Sequence, residues 1–325
     1  MKILTLAMYS LASVNIYAAM TADGESAFRN GALGRYVYRV VDDGGIPVSN
    51  ASAHVWFRSY GRPQDKADWV VQTDTNGMFT AEHRFNEQFS LGLDKEGYYH
   101  THVEINYLSM TELPVKDGKW QPYGETRTVV LKRIKNPYAV KVFSGEQCHR
   151  KIPVFEQWLP FDMEQSDWLA PYGKGKYGDV LLRFEKAGSG RVGDFAYSME
   201  ACFTNNPHAG FYCKPMDEFS DLKTDYHADT NANYSTRYRF LIDVINKHPP
   251  KQIGCADNSY LVFRTRTRVD ENGNLVGAHY GKYCEGWSSD AKEMQFGSSC
   301  FNPVENDTNI EGDQPLFYKL KKRKK

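Results

Sequence analysis

The constraint that dominates this chain is its period. From residue 36 onward, apolar and polar side chains alternate one by one in short runs, and each run stops at a cluster of Asp, Asn and Gly. Residues 36–41 end in Asp42-Asp43-Gly44-Gly45, and Asp74-Thr75-Asn76-Gly77 precedes residues 78–83. Ala53, Val55 and Phe57 alternate with His54, Trp56 and Arg58. Phe89, Leu91 and Leu93 repeat the pattern, as do Tyr99, Thr101, Val103 and Ile105, and residues 126–132 close the series. A period of two puts successive side chains on opposite faces of a strand. Short strands cut by frequent turns, with almost no helical period, predict a seven-stranded β-sandwich over residues 36–133.

Three segments of this region resemble the carboxypeptidase regulatory-like (transthyretin-like) domain. In Val40-Val41-Asp42-Asp43-Gly44-Gly45-Ile46-Pro47-Val48-Ser49-Asn50-Ala51, the residues Gly45, Pro47, Val48 and Ala51 fill that family's opening pattern. Thr73-Asp74-Thr75-Asn76-Gly77-Met78-Phe79 is similar to its second signature, and Lys95-Glu96-Gly97-Tyr98 to its third. The resemblance covers residues 38–133 of a 325-residue chain. It implies a transthyretin/immunoglobulin-like sandwich in a secreted protein, acting as an adaptor or stability module with no catalytic residues of its own. The family's peptidase partner is missing: none of the nine histidines has Glu three residues later, and no Gly-x-Ser-x-Gly elbow occurs.

The rest of the chain reads as a second β-rich domain over residues 134–318, joined through a linker at 134–138 that contains Pro137. Residues 179–185, 194–203, 260–269 and 275–284 alternate as strands, and 234–246 fit a strand better than a helical face. Gly188-Ser189-Gly190-Arg191-Val192-Gly193 matches a dinucleotide-loop spacing. A dinucleotide site needs a helix after the loop, whereas here a strand follows, so the segment reads as a hairpin. Asp270-Glu271-Asn272-Gly273 and Asp74-Thr75-Asn76-Gly77 likewise read as turns, because their calcium-loop registers place His at the last ligand position. Two segments, Asp167-Trp168-Leu169-Ala170-Pro171-Tyr172-Gly173-Lys174-Gly175 and the Asn/Asp-rich stretch 302–311, read as ordered loops. In them Asp and Asn satisfy backbone groups and Gly permits close turns.

The N-terminus reads as a signal peptide over residues 1–19, with Lys2, an apolar stretch at 3–12, and Ala18-Ala19 at the cut. The cysteines agree. Cys148, Cys202, Cys213, Cys255, Cys284 and Cys300 all lie beyond residue 147, and an even number in an exported chain favours disulfides. The sequence does not choose among the pairings, although Cys202 and Cys213 bracket a loop that would close easily. No pair has the tight spacing of a zinc site. The expected location is secreted, periplasmic or cell-surface.

Lys+Arg and Asp+Glu balance at 40 each. Six of those basic groups sit in the tail at residues 319–325, which leaves a mildly acidic body. That excludes the basic stripe of a nucleic-acid binder, and the tail reads either as a solvated end or as a contact with anionic surfaces. No apolar run is long enough for a transmembrane helix.

Candidate sites are few. His100, His102 and Glu104 share one strand face, and Asp225, His227 and Asp229 alternate in a polar stretch; both read as solvated surface, with no metal and no cofactor expected. Trp158, Trp168, Tyr172, Tyr177 and Trp287 are the candidate ligand-binding aromatics, since flat rings give contact area at low entropy cost. The expectation is therefore an exported, non-catalytic binding or scaffolding protein that contacts glycans or other surface proteins. The alternative is a glycan-acting hydrolase using Asp162, Glu164, Asp167 and Asp179.

Overall fold

The computed structural model describes residues 21–311, apart from 111, 138–140, 144–147, 192–193, 204–206, 244, 246–247, 254, 256–257, 285–286 and 291. The segment read as a signal peptide, residues 1–19, and the basic tail at 319–325 lie outside the described residues. The fold is mainly β. The chain divides into two compact units, Met1–Ile134 with Phe219–Asp221, and Lys135–Glu218 with Leu222–Lys325. Among the described residues no helix is long and apolar enough to cross a membrane.

The first unit opens with helix α1 (Ala22–Asn30), which Thr21 caps by accepting the Gly24 N–H. Its strands are β1 (Ala32–Asp42), β2 (Ser52–Arg58), β3 (Ala67–Gln72), β4 (Met78–Phe85) and β5 (Gln88–Asp94). Then come β6 (Thr101–Asn106), the short pair β7 (Val115–Lys116) and β8 (Lys119–Trp120), and β9 (Thr126–Leu131). One sheet runs β4-β1-β8-β7 with β9 parallel to β1; the other runs β3-β2-β5-β6. The predicted alternation holds: Ala53, Val55 and Phe57 are buried while Arg58 is exposed. Tyr36 stacks on Phe89 at 3.8 Å, and its hydroxyl shares a buried 2.8 Å hydrogen bond with that of Tyr107.

The turns carry their expected chemistry. Asp74 Oδ1 accepts the N–H groups of Asn76 and Met78. Gly77 has φ +74°, and a Cβ there would meet the Val40 carbonyl oxygen at 2.3 Å. Asp42 Oδ1 accepts from Gly44 and Ile46, and its Oδ2 accepts two bonds from Arg133. The pattern missed α1, β3 and the β7–β8 hairpin. It also missed that Phe219–Asp221 belongs to this unit, where Ser220 bridges Thr101 of β6, and His102 donates to the Phe219 carbonyl.

The second unit contains β10 (Lys141–Phe143), β11 (His149–Lys151), β12 (Leu159–Asp162), β13 (Asp167–Trp168), β14 (Val180–Arg191), β15 (Asp194–Cys202) and β16 (Gly210–Pro215). It continues with β17 (Arg237–Asp243), β18 (His248–Ile253), β19 (Ser259–Val269), β20 (Leu275–Tyr283), β21 (Trp287–Ser289), β22 (Glu293–Phe296) and β23 (Ser299–Phe301). A six-stranded sheet runs β13-β12-β14-β15-β17-β18, a five-stranded sheet β10-β23-β20-β19-β16, and a small one β11-β22-β21. Phe161, Phe184, Met199 and Tyr238 of the first meet Phe211, Phe263, Tyr283 and Phe301 of the second in one core. The far face of the five-stranded sheet buries Tyr260, Val262 and Tyr280 in a second cluster. Burial on both faces explains the unbroken apolar run Tyr260-Leu261-Val262-Phe263.

The Gly-rich segment after residue 187 joins β14 to β15 as a hairpin, with Ser189 N–H and hydroxyl both bonded to Asp194. Cys213 pairs with Cys255, 42 residues on, with Cα atoms 5.5 Å apart. The locally easy Cys202–Cys213 closure is thereby corrected. Cys202 ends β15 in one sheet while Cys213 lies in β16 of another, where Cys255 comes within bridging distance of it. Cys148, Cys202, Cys284 and Cys300 are buried.

Candidate functional site

The Asp-Trp-Gly loop beside β12 is held by a dense set of side-chain-to-backbone bonds. Asp162 ends β12 with no solvent exposure and acts as a hub for backbone donors. Its Oδ1 accepts the N–H groups of Glu164 and Gln165 at 2.9 Å each, which closes the β12–β13 turn. Its Oδ2 accepts those of Lys176 and Tyr177 at 2.8 and 3.1 Å, which folds the following loop back onto the strand. Asp167 does the same one turn on, accepting Trp168 N–H at 2.9 Å and Lys174 N–H at 3.0 Å. The loop passes so close that a Cβ at Gly173 would lie 2.4 Å from the Trp168 carbonyl oxygen, and one at Gly175 2.8 Å from that of Asp167.

A guanidinium completes the hub. Arg266 sits at φ +50° where the β19–β20 ladder shifts register between Thr265 and Arg268. It donates to Asp179 at 2.9 and 3.1 Å, to Glu164 at 2.7 Å and to Asp162 at 3.4 Å. Its Cζ lies over the rings of Tyr177 (4.2 Å) and Phe301 (4.6 Å). Burial pushes the Asp179 carboxyl up, opposed by Arg266 and by the Met163 N–H. Burial also works against the charge on Arg266, but the bonds to Asp179 and Glu164 outweigh it and push that group up. Arg266 was not singled out in the sequence. The available signal was Arg264, Arg266 and Arg268 at period two directly after an apolar run, each needing an acceptor.

The carboxylates predicted for hydrolysis are thus brought together, but around Arg266 and the loop backbone. A general acid or nucleophile must present an oxygen to a substrate. Asp162 and Asp179 are buried, and their oxygens are taken up by protein donors.

The predicted aromatics divide. Tyr177 and Tyr172 project from the anchored loop with 55% and 48% of their surface exposed, and Trp158, just before β12, with 38%. Trp168 is corrected from a surface ring to a core residue. It is 3% exposed, packs edge-on against Phe161 and Phe184, and donates its indole N–H to the Lys151 carbonyl. Trp287 opens β21, and its side chain lies outside the described residues. The histidine face pairs off with acids: His100 with Asp94 at 3.0 Å and His102 with Glu104 at 3.6 Å. Asp225 pairs with Lys214 and His227 with Thr308, so that polar stretch does not converge. Among the described residues no cluster of three His, Cys, Asp or Glu side chains is placed to hold a metal ion.

No protein-family profile and no curated protein matches the chain. Solved structures match it in part. 3-Chlorocatechol 1,2-dioxygenase from Rhodococcus opacus 1CP has 14% identity and a TM-score of 0.26, covering 32% of this chain and 61% of that one. Acinetobacter radioresistens catechol 1,2-dioxygenase has 12% identity and a TM-score of 0.25, covering 36% and 57%. Hydroxyquinol 1,2-dioxygenase from Pseudomonas putida DLL-E4 has 14% identity and a TM-score of 0.23, covering 32% and 58%. The matches thus span less than two thirds of each dioxygenase. The expectation that the chain is not an enzyme is corrected by these neighbours, which are enzymes. That expectation rested on missing metallopeptidase and serine-hydrolase motifs, and their absence bears on two chemistries and leaves the rest of catalysis open.

Proposed function

We propose that this is an exported binding protein whose second unit presents a preorganised aromatic loop to glycan rings or to a surface protein. The observation that carries this reading is the anchoring of the loop. Asp162 and Asp167 hold its backbone through six N–H bonds. Tyr177 is stacked on Arg266, so Tyr172 and Tyr177 face solvent at little further ordering cost. The first unit serves as a transthyretin-like adaptor, and the basic tail at 319–325 contacts anionic surfaces.

The test is retention on a glycan and peptidoglycan array by the mature, oxidised protein, with products read by mass spectrometry in the same wells. The expected result is a retained ligand that Tyr177→Ala and Tyr172→Ala each release. Retention indifferent to both substitutions refutes the loop as the binding surface.

A further inference from the structure

The outer edge of β3 is open, and its sequence is complementary to itself. β3 (Ala67–Gln72) ends the sheet β3-β2-β5-β6. Its ladder bonds go to β2, and among the described residues no backbone bond leaves the other side of the strand. Thr73 N–H donates to the Ala51 carbonyl, in line with the register that opposes Ser52 to Gln72. Antiparallel bonding alternates along a strand. Ala67, Trp69 and Val71 therefore turn their N–H and C=O groups to β2, and Asp68, Val70 and Gln72 turn theirs outward.

Sheet margins are commonly blunted by Pro, Lys, a bulge or a covering segment. β3 contains no Pro, Lys or Gly, and its register to β2 is unbroken. Asp68 is its one charge, and Val70 in the middle is 50% exposed. The core face is unfinished as well. Phe57 of β2 and Leu91 of β5 are buried, whereas Trp69 and Val71 are only partly buried against the same core. A strand laid beside β3 would cover them.

The residues of β3 select the strand that fits. Two copies can pair antiparallel about a two-fold axis, and the residue on the axis fixes the register. With Val70 there, Val70 opposes Val70, Asp68 opposes Gln72, and Trp69 opposes Val71 on the core face. Every outward-turned residue is then paired, and each such pair exchanges two bonds. Gln72 gives one amide N–H to Ser52 and has a second for the Asp68 carboxylate. The same register sets Lys66 alongside Asp74, both exposed. Asp74 spends its Oδ1 on its own turn, which leaves Oδ2 for the ammonium. Neighbouring registers fit less well. Asp68 on the axis meets its own charge, Val71 on the axis sets Asp68 against Asp74, and Trp69 on the axis sets Asp68 against Val70.

We propose that β3 is the surface through which two copies of this chain pair, joining two four-stranded sheets into one of eight strands. A contact one strand wide belongs with small, transient interfaces, so the dimer exchanges with monomer. The inference rests on the first unit alone and does not depend on the aromatic loop.

The test is sedimentation velocity of the full, oxidised chain at rising concentration, up to about 1 mM. The expected result is a reversible monomer–dimer equilibrium. A residue on the axis meets its own copy, so Val70→Lys and Val70→Glu each place like charges directly opposite one another. Each variant alone is expected to weaken dimerisation at least about tenfold. An equimolar mixture of the two is expected to restore it, because the opposed charges are then of opposite sign. Rescue by mixing also separates loss of pairing from loss of fold. Tyr177→Ala is expected to leave the equilibrium unchanged. A native chain that stays monomeric throughout, a dimer that both Val70 variants leave intact, or a mixture that stays monomeric overturns the proposal.

Discussion

Replacing Asp162 by Asn is the sharpest test of the loop's construction, because it removes one charge and keeps the shape. In the native protein two N–H groups point at each oxygen: Glu164 and Gln165 at Oδ1, Lys176 and Tyr177 at Oδ2. An amide has one accepting oxygen and one donating nitrogen. Whichever way it is turned, two backbone donors face an NH₂ group. With no solvent exposure at this side chain, each orphaned donor costs about 1–3 kcal/mol. Weakening the buried contact to Arg266 adds to that, for about 3–6 kcal/mol in all. Asp167→Asn loses one such bond at a partly exposed side chain where water can substitute, and costs about 0.5–1.5 kcal/mol. The assay is urea unfolding followed by tryptophan emission, since Trp168 sits at the base of the loop, with limited proteolysis as a second readout of loop release. Asp162→Asn should destabilise strongly and expose residues 169–178 to cleavage. A loss below about 1 kcal/mol, or one no larger than that of Asp167→Asn, would mean the hub does not organise the loop.

Three further predictions follow the same logic. Gly175→Ala places a methyl 2.8–2.9 Å from Asp167 O, Asp162 Cβ and Trp168 O, and should cost about 1–3 kcal/mol in chemical denaturation; a neutral result would show that the loop can move aside. The backbone bond from Ile46, together with those from Arg133 and Gly44, holds the Asp42 carboxyl below the usual carboxylate range. Its stabilising contribution is therefore present above the unfolded-state value and is lost as pH falls below about 4. Urea midpoints of the first unit should drop with acid, and Asp42→Asn should flatten that drop; identical slopes in the two proteins would count against it. Converting Cys213 and Cys255 to Ser releases a 42-residue closure, for which the chain-entropy argument gives about 4 kcal/mol; an unchanged midpoint under oxidising conditions would contradict that argument.

Much of the architecture is written locally and can be read that way. The alternation of β2 and β5 and the Asp-x-Asn-Gly turns at Asp74 and Asp270 are short-range effects, set by side-chain pleat and by Asx bonds to the next few N–H groups. The loop role of Asp167 was legible for the same reason. What stayed hidden depends on tertiary partners. Trp168 and Tyr177 look alike in sequence, but an inward pleat position buries the first while the second ends on an arginine from a strand about 90 residues away. Arg266 gains its role from a register shift that no local pattern announces. The cysteine nearest to Cys213 in sequence, Cys202, is not the one beside it in space. Helix α1 is the exception, since Thr21, Asp23 and Glu25 at its start and Gly31 at its end were readable signals.

The three residues Phe219–Asp221 give the chain an unusual thread. Ser220 and its neighbours bond the outer backbone edge where β6 of the first unit begins, at residues 100–102, yet they are synthesised 88 residues after that unit's last strand ends at Leu131. During synthesis β6 therefore stands at the margin of its sheet with bare N–H and C=O groups until a much later stretch emerges, and a bare edge is a template for foreign strands. A fragment cut after residue 134 would keep that edge open permanently. It should self-associate more readily than the whole chain, and a short peptide spanning residues 217–223 should suppress that association.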